Sequence, residues 1–129
     1  MIGKVIYGRL STDAAITGVC GTNIFPDIAP QNVQYPFMVY TIINSTPVDF
    51  KDGQSNLEEI NVQVDVYTNN YETTQTLANN VRNRLDRFSG TVNNVSVQTI
   101  TYISSDSQVY NADLNVYWMS IDFNAKMKR

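Results

Sequence analysis

The segment from Glu58 to Phe88 places two different hydrophobic periods next to each other. Branched aliphatic residues occupy every second position from Ile60 to Val66, which is typical of a strand with one buried face. After Thr68-Asn69-Asn70, a helical stripe begins in which apolar residues recur every three or four positions. Asn69 or Asn70 can cap this helix. The stripe consists of Tyr71, Thr74, Leu77, Ala78, Val81, Leu85 and Phe88. The segment therefore predicts a strand followed at once by a helix that covers a sheet.

The remaining periodic segments predict one more helix and three more strands. Ile2 to Leu10 carries a helical stripe, which a short helical turn ending at Gly18 can follow. Phe37 to Ile43 is apolar at nearly every position and predicts a strand buried on both faces. Val95 to Ile103 and Leu114 to Ala125 alternate as strands do. Within the last of these we expect Trp118 to be buried between the sheet and its helices, together with Val64.

Two connections have distinctive compositions. Asn23 to Pro36 contains three of the four prolines, so we expect an extended segment with Phe25 and Ile28 turned inward. Asn44 to Leu57 is polar and contains Gly53, which predicts a long loop at the tip of a hairpin. Phe50 is an aromatic residue in that polar loop, and such a side chain tends to find a partner surface.

Together these elements predict one domain, residues 1–129, of the α+β class. We expect a mainly antiparallel sheet of about four strands with two helices packed on it, in the order α-β-β-α-β-β. The long hairpin loop joins the first two strands.

The composition gives little support for chemistry. The chain has no histidine, which is the commonest general base and metal ligand, and its one cysteine, Cys20, is expected in or near the core. Asp49 and Asp52 beside Gly53 resemble part of a calcium loop, but the other oxygen ligands are missing. A net charge of −3 gives no general attraction to nucleic acid or to anionic membranes. We therefore predict no catalytic, metal or cofactor site. No apolar run approaches the roughly 20 residues that a membrane helix needs, so we predict no membrane segment.

Two blocks of the sequence resemble a known family. Ile24-Phe25-Pro26, Ala29-Pro30 and the run from Tyr35 to Tyr40 are similar to the front half of the tail completion proteins of long-tailed, siphovirus-like bacteriophages, also called tail terminators. Val62 to Tyr67, with the helix that follows, resembles the second block of that family. The resemblance extends from Ile16 to about Leu85.

The resemblance implies a structural virion protein rather than an enzyme. Members of the family form a ring, usually of six subunits, that caps the tail tube, ends its polymerisation and joins the tail to the head. The expected partners are further copies of the chain, the tail tube protein and the head-side connector or stopper. DNA would pass through the ring without specific binding. The expected location is the head–tail junction of a virion assembled in the host cytoplasm.

The residues themselves, rather than the family pattern, suggest which part makes contact. We expect the loop residues Asp49, Phe50, Lys51, Asp52 and Gln54 to meet an adjacent subunit or the tail tube. Two other functions remain open at this point. One is another head–tail connector or tail tube component, and the other is a small-ligand-binding or enzymatic domain with a pocket formed by loops.

Overall fold

The computed structural model describes the backbone of residues 2–50, 53–106 and 109–128, and the side chains of these ranges except at 47–50, 53–56, 109 and 128. Three helices lie within these ranges: α1 (Ile2–Ser11), α2 (Ala14–Cys20) and α3 (Tyr71–Leu85). The predicted cap of α3 is confirmed, because the Asn70 side chain accepts a hydrogen bond of 3.0 Å from the Thr73 amide.

The strands form one mixed sheet. Its spatial order is β1-β2-β3-β7-β5-β4, and β6 pairs with β7 off this path. All pairs are antiparallel except β1 with β2. The strands are β1 (Ile24–Pro26), β2 (Phe37–Phe50), β3 (Gly53–Thr68), β4 (Gly90–Val92), β5 (Val95–Ser105), β6 (Val109–Asn111) and β7 (Val116–Lys128).

The core lies between one face of this sheet and the helices. Ile60, Val62, Val64 and Val66 of β3 are buried there, as the alternation predicts. They meet Leu77 and Val81 of α3 and Ile121 and Phe123 of β7 within one cluster of buried side chains. Burial of this face is the main source of stability, because each fully buried branched side chain contributes about 1.5–3 kcal/mol.

The α+β class is confirmed, but the predicted number of elements is wrong. The described chain has seven strands and three helices rather than about four and two. The three additional strands, β1, β4 and β6, have three residues each, which is too short for a hydrophobic period. The additional helix α2 continues through Gly18 to Cys20.

The predicted long loop between the first two strands is also wrong. β2 and β3 continue toward each other, and Asp49 pairs with Gln54 and Phe50 with Gly53. Polar residues do not prevent this, because the ladder is made by backbone groups that every residue here except Pro47 can supply in full. Lys51 and Asp52 lie outside the described residues.

Two predicted burials are contradicted. Trp118 is 42% exposed and Ile28 is 80% exposed. Trp118 pairs with Tyr67, whose side chain alternates away from Val66 and therefore points away from the helices. The first residues of β7 are apolar on both faces, so the sequence pattern could not show which face of the strand meets the helices.

Candidate assembly surfaces of the sheet

The sheet face that points away from the helices, here called the open face, carries a row of three asparagines. Asn44, Asn61 and Asn124 stand on the adjacent strands β2, β3 and β7. The Asn61 Nδ2 donates to Asn44 Oδ1 at 2.8 Å, and the Asn124 Nδ2 donates to Asn61 Oδ1 at 3.0 Å. The row is a cross-strand amide ladder that stabilises the register without any charge.

Charged groups on the open face are mostly acidic. Asp122 accepts a hydrogen bond of 3.4 Å from the Ser104 hydroxyl, and Lys126 lies 3.9 Å from Glu59. Both Glu59 and Lys126 are partly exposed, so this ion pair contributes little to stability. The surface can contact water or a polar partner, and its amides and carboxylates do not attract phosphate groups.

Asp65 is the most perturbed carboxylate of the open face. Burial raises its pKa above the ordinary value, and the nearby charges of Asp122 and Asp106 act in the same direction. The Ser120 hydroxyl donates to Asp65 Oδ1 at 2.5 Å and accepts from the Trp118 Nε1 at 3.2 Å. These hydrogen bonds favour the charged form and oppose the shift. The chain Trp118–Ser120–Asp65 fixes the indole ring, and it resembles no known catalytic arrangement of nucleophile and base.

An aromatic row crosses one end of the open face. Phe37 stacks on Tyr67 with a centroid distance of 4.8 Å, and Tyr67 stacks on Trp118 at 6.0 Å. Tyr35 extends the row beyond Phe37 at 5.3 Å. Together with Leu114, which is 65% exposed, these rings line a cavity of about 180 Å³. Sequence reasoning missed this row, since it depends on the pairing of Phe37 with Tyr67 and of Tyr67 with Trp118.

Three of the five residues that we expected to make contacts, Asp49, Phe50 and Gln54, have backbones at the end of the β2–β3 hairpin, here called the hairpin tip. The backbone places Asp49 and Phe50 at the end of β2 and Gln54 near the start of β3. Lys51 and Asp52 lie outside the described residues, as do the side chains of the other three. The last pair between β3 and β7 is Leu57 with Lys128, so the tip extends beyond β7 as two strands.

An apolar groove of about 380 Å³ lies beside the outer strand β2. Tyr7 of α1 and Ile42 of β2 line it, and both are more than 40% exposed. Tyr40 lies deeper in the groove, and burial raises the pKa of its hydroxyl. The groove begins where β1 leaves β2, since Pro26 and Asp27 form its other wall.

The described side chains contain no group of three or more potential metal ligands of the histidine, cysteine, aspartate or glutamate type. Cys20 is buried, as predicted, and burial raises its thiol pKa, which disfavours the nucleophilic thiolate. Among the described residues, no helix is long and apolar enough to cross a membrane. The open face, the hairpin tip and the strand edges are the surfaces that the described residues offer for contacts with other molecules.

Comparison with known proteins identifies the class of assembly component. The sequence profile of the family described as "Tail completion protein gp17" matches residues 4–128. The chain belongs to this family. It is a structural protein of the virion tail, which confirms the resemblance seen in the sequence and the predicted location in the tail.

The fold is also similar to that of a solved structure. A chain in the structure titled "Virion of native gene transfer agent (GTA) particle" superposes with a TM-score of 0.79. The two chains share 13% sequence identity over 96% of this chain and 92% of the other. At this identity the similarity establishes the fold. No curated protein matches the sequence.

Proposed function

We propose that copies of this chain form a closed ring, six-fold in symmetry, that caps the end of the tail tube. The ring ends polymerisation of the tube and joins the tail to the head-side connector. Membership in the tail completion family carries this proposal. The fold supports it, since the described part of the chain offers extended surfaces rather than a catalytic constellation.

The open face suits the wall of the ring's channel. Its asparagine row is polar and uncharged, and Asp65 and Asp122 add negative charge. DNA carries one negative charge per about 1.7 Å of helix axis and binds proteins mainly through lysine and arginine. A wall of amides and carboxylates therefore lets DNA pass without holding it.

The hairpin tip suits a contact along the ring axis. We propose that Asp49, Phe50, Lys51, Asp52 and Gln54 meet the tail tube or an adjacent subunit. The tip lies beyond the last residue of β3 that pairs with β7, so contacts made there leave the core unchanged. Phe50 supplies the apolar anchor and its neighbours a polar rim, as at most protein interfaces.

The decisive experiment compares particles assembled with and without this protein by electron microscopy. Without it, we expect tails of irregular and excessive length that lack heads. Tails of normal length without heads would instead favour the role of a head–tail connector. Particles indistinguishable from the wild type would refute both roles.

The hairpin tip is tested by a shortened variant. Replacing residues 49–54 with a two-residue turn should leave the protein folded, since β7 pairs with β3 only from Leu57 onward. Phe50→Ser serves as a milder variant of the same surface. We expect both to reduce incorporation into particles while the melting temperature stays close to that of the wild type. Normal incorporation of both would show that the tip makes no essential contact.

A further inference from the structure

Each of the long strands β2 and β5 has a neighbour on its outer side for only part of its length. On each strand, an isoleucine lies where the outer side is no longer covered. On β2, pairing with β1 ends at Tyr40, and the register shifts between Ile42 and Asn44, so Ile43 lies in a β-bulge. Within the described ranges no strand pairs with β2 on its outer side beyond Tyr40. Bulges are common where pairing ends at a sheet edge.

The same arrangement occurs at β5. Arg87 and Phe88 bond to the backbone of Ile100, and the Asp86 carboxylate accepts a hydrogen bond of 2.9 Å from the Tyr102 amide. The register then shifts between Tyr102 and Ser104, which places Ile103 in a second bulge. From Ile103 to Ser105, no described strand pairs with the outer side of β5.

The two bulged isoleucines are equivalent in exposure and in orientation. Ile43 is 54% exposed and Ile103 is 53% exposed. Both line one shallow cavity of about 350 Å³ on the open face, together with Asn61, Gln63 and Asp122. β3 and β7 stand between β2 and β5, so the two backbones at these positions are three strand spacings of about 4.8 Å apart. Although both side chains line this cavity, each stays about half exposed within one chain.

The strand directions make the two edges complementary. β2 is antiparallel to β3, β3 to β7 and β7 to β5, so β2 and β5 run in opposite directions. A rotation about a ring axis along the strands leaves those directions unchanged. The β2 edge of one copy and the β5 edge of the next would therefore meet as antiparallel strands.

We propose that β2 residues 41–43 pair with the β5 edge, residues 103–105, of a second copy of this chain. The inference rests on the ring proposed above and names the contact that closes it. Ile43 packs against Ile103 of the partner subunit on the open face.

A second copy is the occupant because each chain carries both halves of the contact. Unpaired strand edges are sites of uncontrolled association unless they are covered. A contact between two different edges of identical subunits is heterologous, and such contacts generate closed rings when the rotation closes. An unrelated partner would use one edge and leave the other exposed.

The first experiment uses cysteine cross-linking in assembled particles. In a Cys20→Ala background, Ile43→Cys combined with Ile103→Cys should give a ladder of covalent oligomers after a short thiol-to-thiol cross-linker. Each single-cysteine variant should remain uncross-linked, because the contact joins position 43 of one copy to position 103 of the next. The matched control combines Ile28→Cys with Ile103→Cys, since Ile28 is 80% exposed but belongs to neither β2 nor β5. The control should give no ladder.

The second experiment introduces charge at the contact. We expect Ile43→Lys to lower ring assembly by at least about tenfold, because an unpaired charge in a desolvated contact costs more than one decade of affinity. Ile43→Lys combined with Ile103→Glu should restore assembly, while Ile28→Lys should have no effect. Circular dichroism and the melting temperature establish that each variant is folded.

The outcomes separate the interface from the proposed function. Rings in particles without a cross-linked ladder, or normal assembly of Ile43→Lys, would overturn this pairing and leave the ring intact. One copy per particle, measured by quantitative mass spectrometry, would overturn the ring and the pairing together. A ladder that ends at a fixed number of subunits supports both the ring and the pairing, and that number is the number of subunits in the ring.

Discussion

Gly8 in α1 provides a sharp test of how the helices pack. A Cβ added there would lie 2.5 Å from Val92 Cγ1 and 3.0 Å from Asn93 Nδ2. Carbon atoms pack best at about 3.5–4.0 Å, so α1 and the β4 turn must separate or rearrange. Overpacking of this kind costs about 1–3 kcal/mol, whereas alanine gains about 1 kcal/mol over glycine within a helix. We expect Gly8→Ala to lower the free energy of unfolding by up to about 2 kcal/mol.

Gly18 in α2 is the matched control. A Cβ built there meets nothing within 4 Å, so the same substitution brings the helix preference without a clash. Gly18→Ala should therefore raise the free energy of unfolding by about 0.5–1 kcal/mol. The two substitutions are chemically identical and differ in the sign of their expected effect.

Chemical denaturation and thermal melting measure both changes. For a domain of this size, 1 kcal/mol corresponds to a shift in melting temperature of about 4 °C. Combining Gly8→Ala with Val92→Ala should recover part of the loss, because the second substitution removes the clashing methyl groups. If Gly8→Ala stabilises the protein as much as Gly18→Ala does, the close contact between α1 and β4 does not exist.

Three further predictions concern the core, the open face and the helix ends. Phe123→Ala should lower the free energy of unfolding by about 3–5 kcal/mol, because the ring is fully buried. Trp118→Ala should lower it by only about 1–2 kcal/mol, through lost stacking. Equal losses in chemical denaturation would contradict the burial of Phe123 and the exposure of Trp118. Because the pKa of Asp65 is raised, the folded protein keeps this proton at pH values above 3.8 at which the unfolded chain has lost it. The free energy of unfolding therefore falls as the pH rises from 3.8 to the folded-state pKa. Asp65→Asn should abolish that fall in a pH series of melting temperatures, and an unchanged series would refute the assignment. Arg84 of α3 donates a hydrogen bond from Nε to the Arg9 carbonyl of α1 at 2.8 Å. Arg84→Met should therefore lower the free energy of unfolding by about 1–3 kcal/mol in chemical denaturation. An unchanged free energy would show that this link between α1 and α3 is dispensable.

Much of the candidate site was visible in the strand alternation. Asn61, Gln63 and Asp65 stand at every second position of β3, which predicted a polar face opposite the buried valines. The sequence did not show which residues of the neighbouring strands lie beside Asn61, Gln63 and Asp65. The asparagine row depends on the pairing of Asn44 and Asn124 with Asn61 across strands far apart in the sequence.

The sequence by itself determined the elements with a long period and a local start signal. The strand from Ile60 to Val66 and the helix capped by Asn70 follow from side-chain periodicity and one capping residue, which act within a few positions. The α+β class and the family resemblance follow from the same segments. The predicted helix extended to Phe88, but α3 ends at Leu85, where Asp86 leaves the helical conformation.

Only the tertiary structure decided the short strands, the hairpin and the side on which Trp118 lies. β1, β4 and β6 exist because a longer strand offers them backbone partners, and three residues carry no period of their own. Phe50 belongs to a strand because β3 returns beside it. The bulges at Ile43 and Ile103 likewise arise where one partner strand ends and another continues. Strand pairing is a property of two segments distant in the chain, so no local pattern within either segment can specify it.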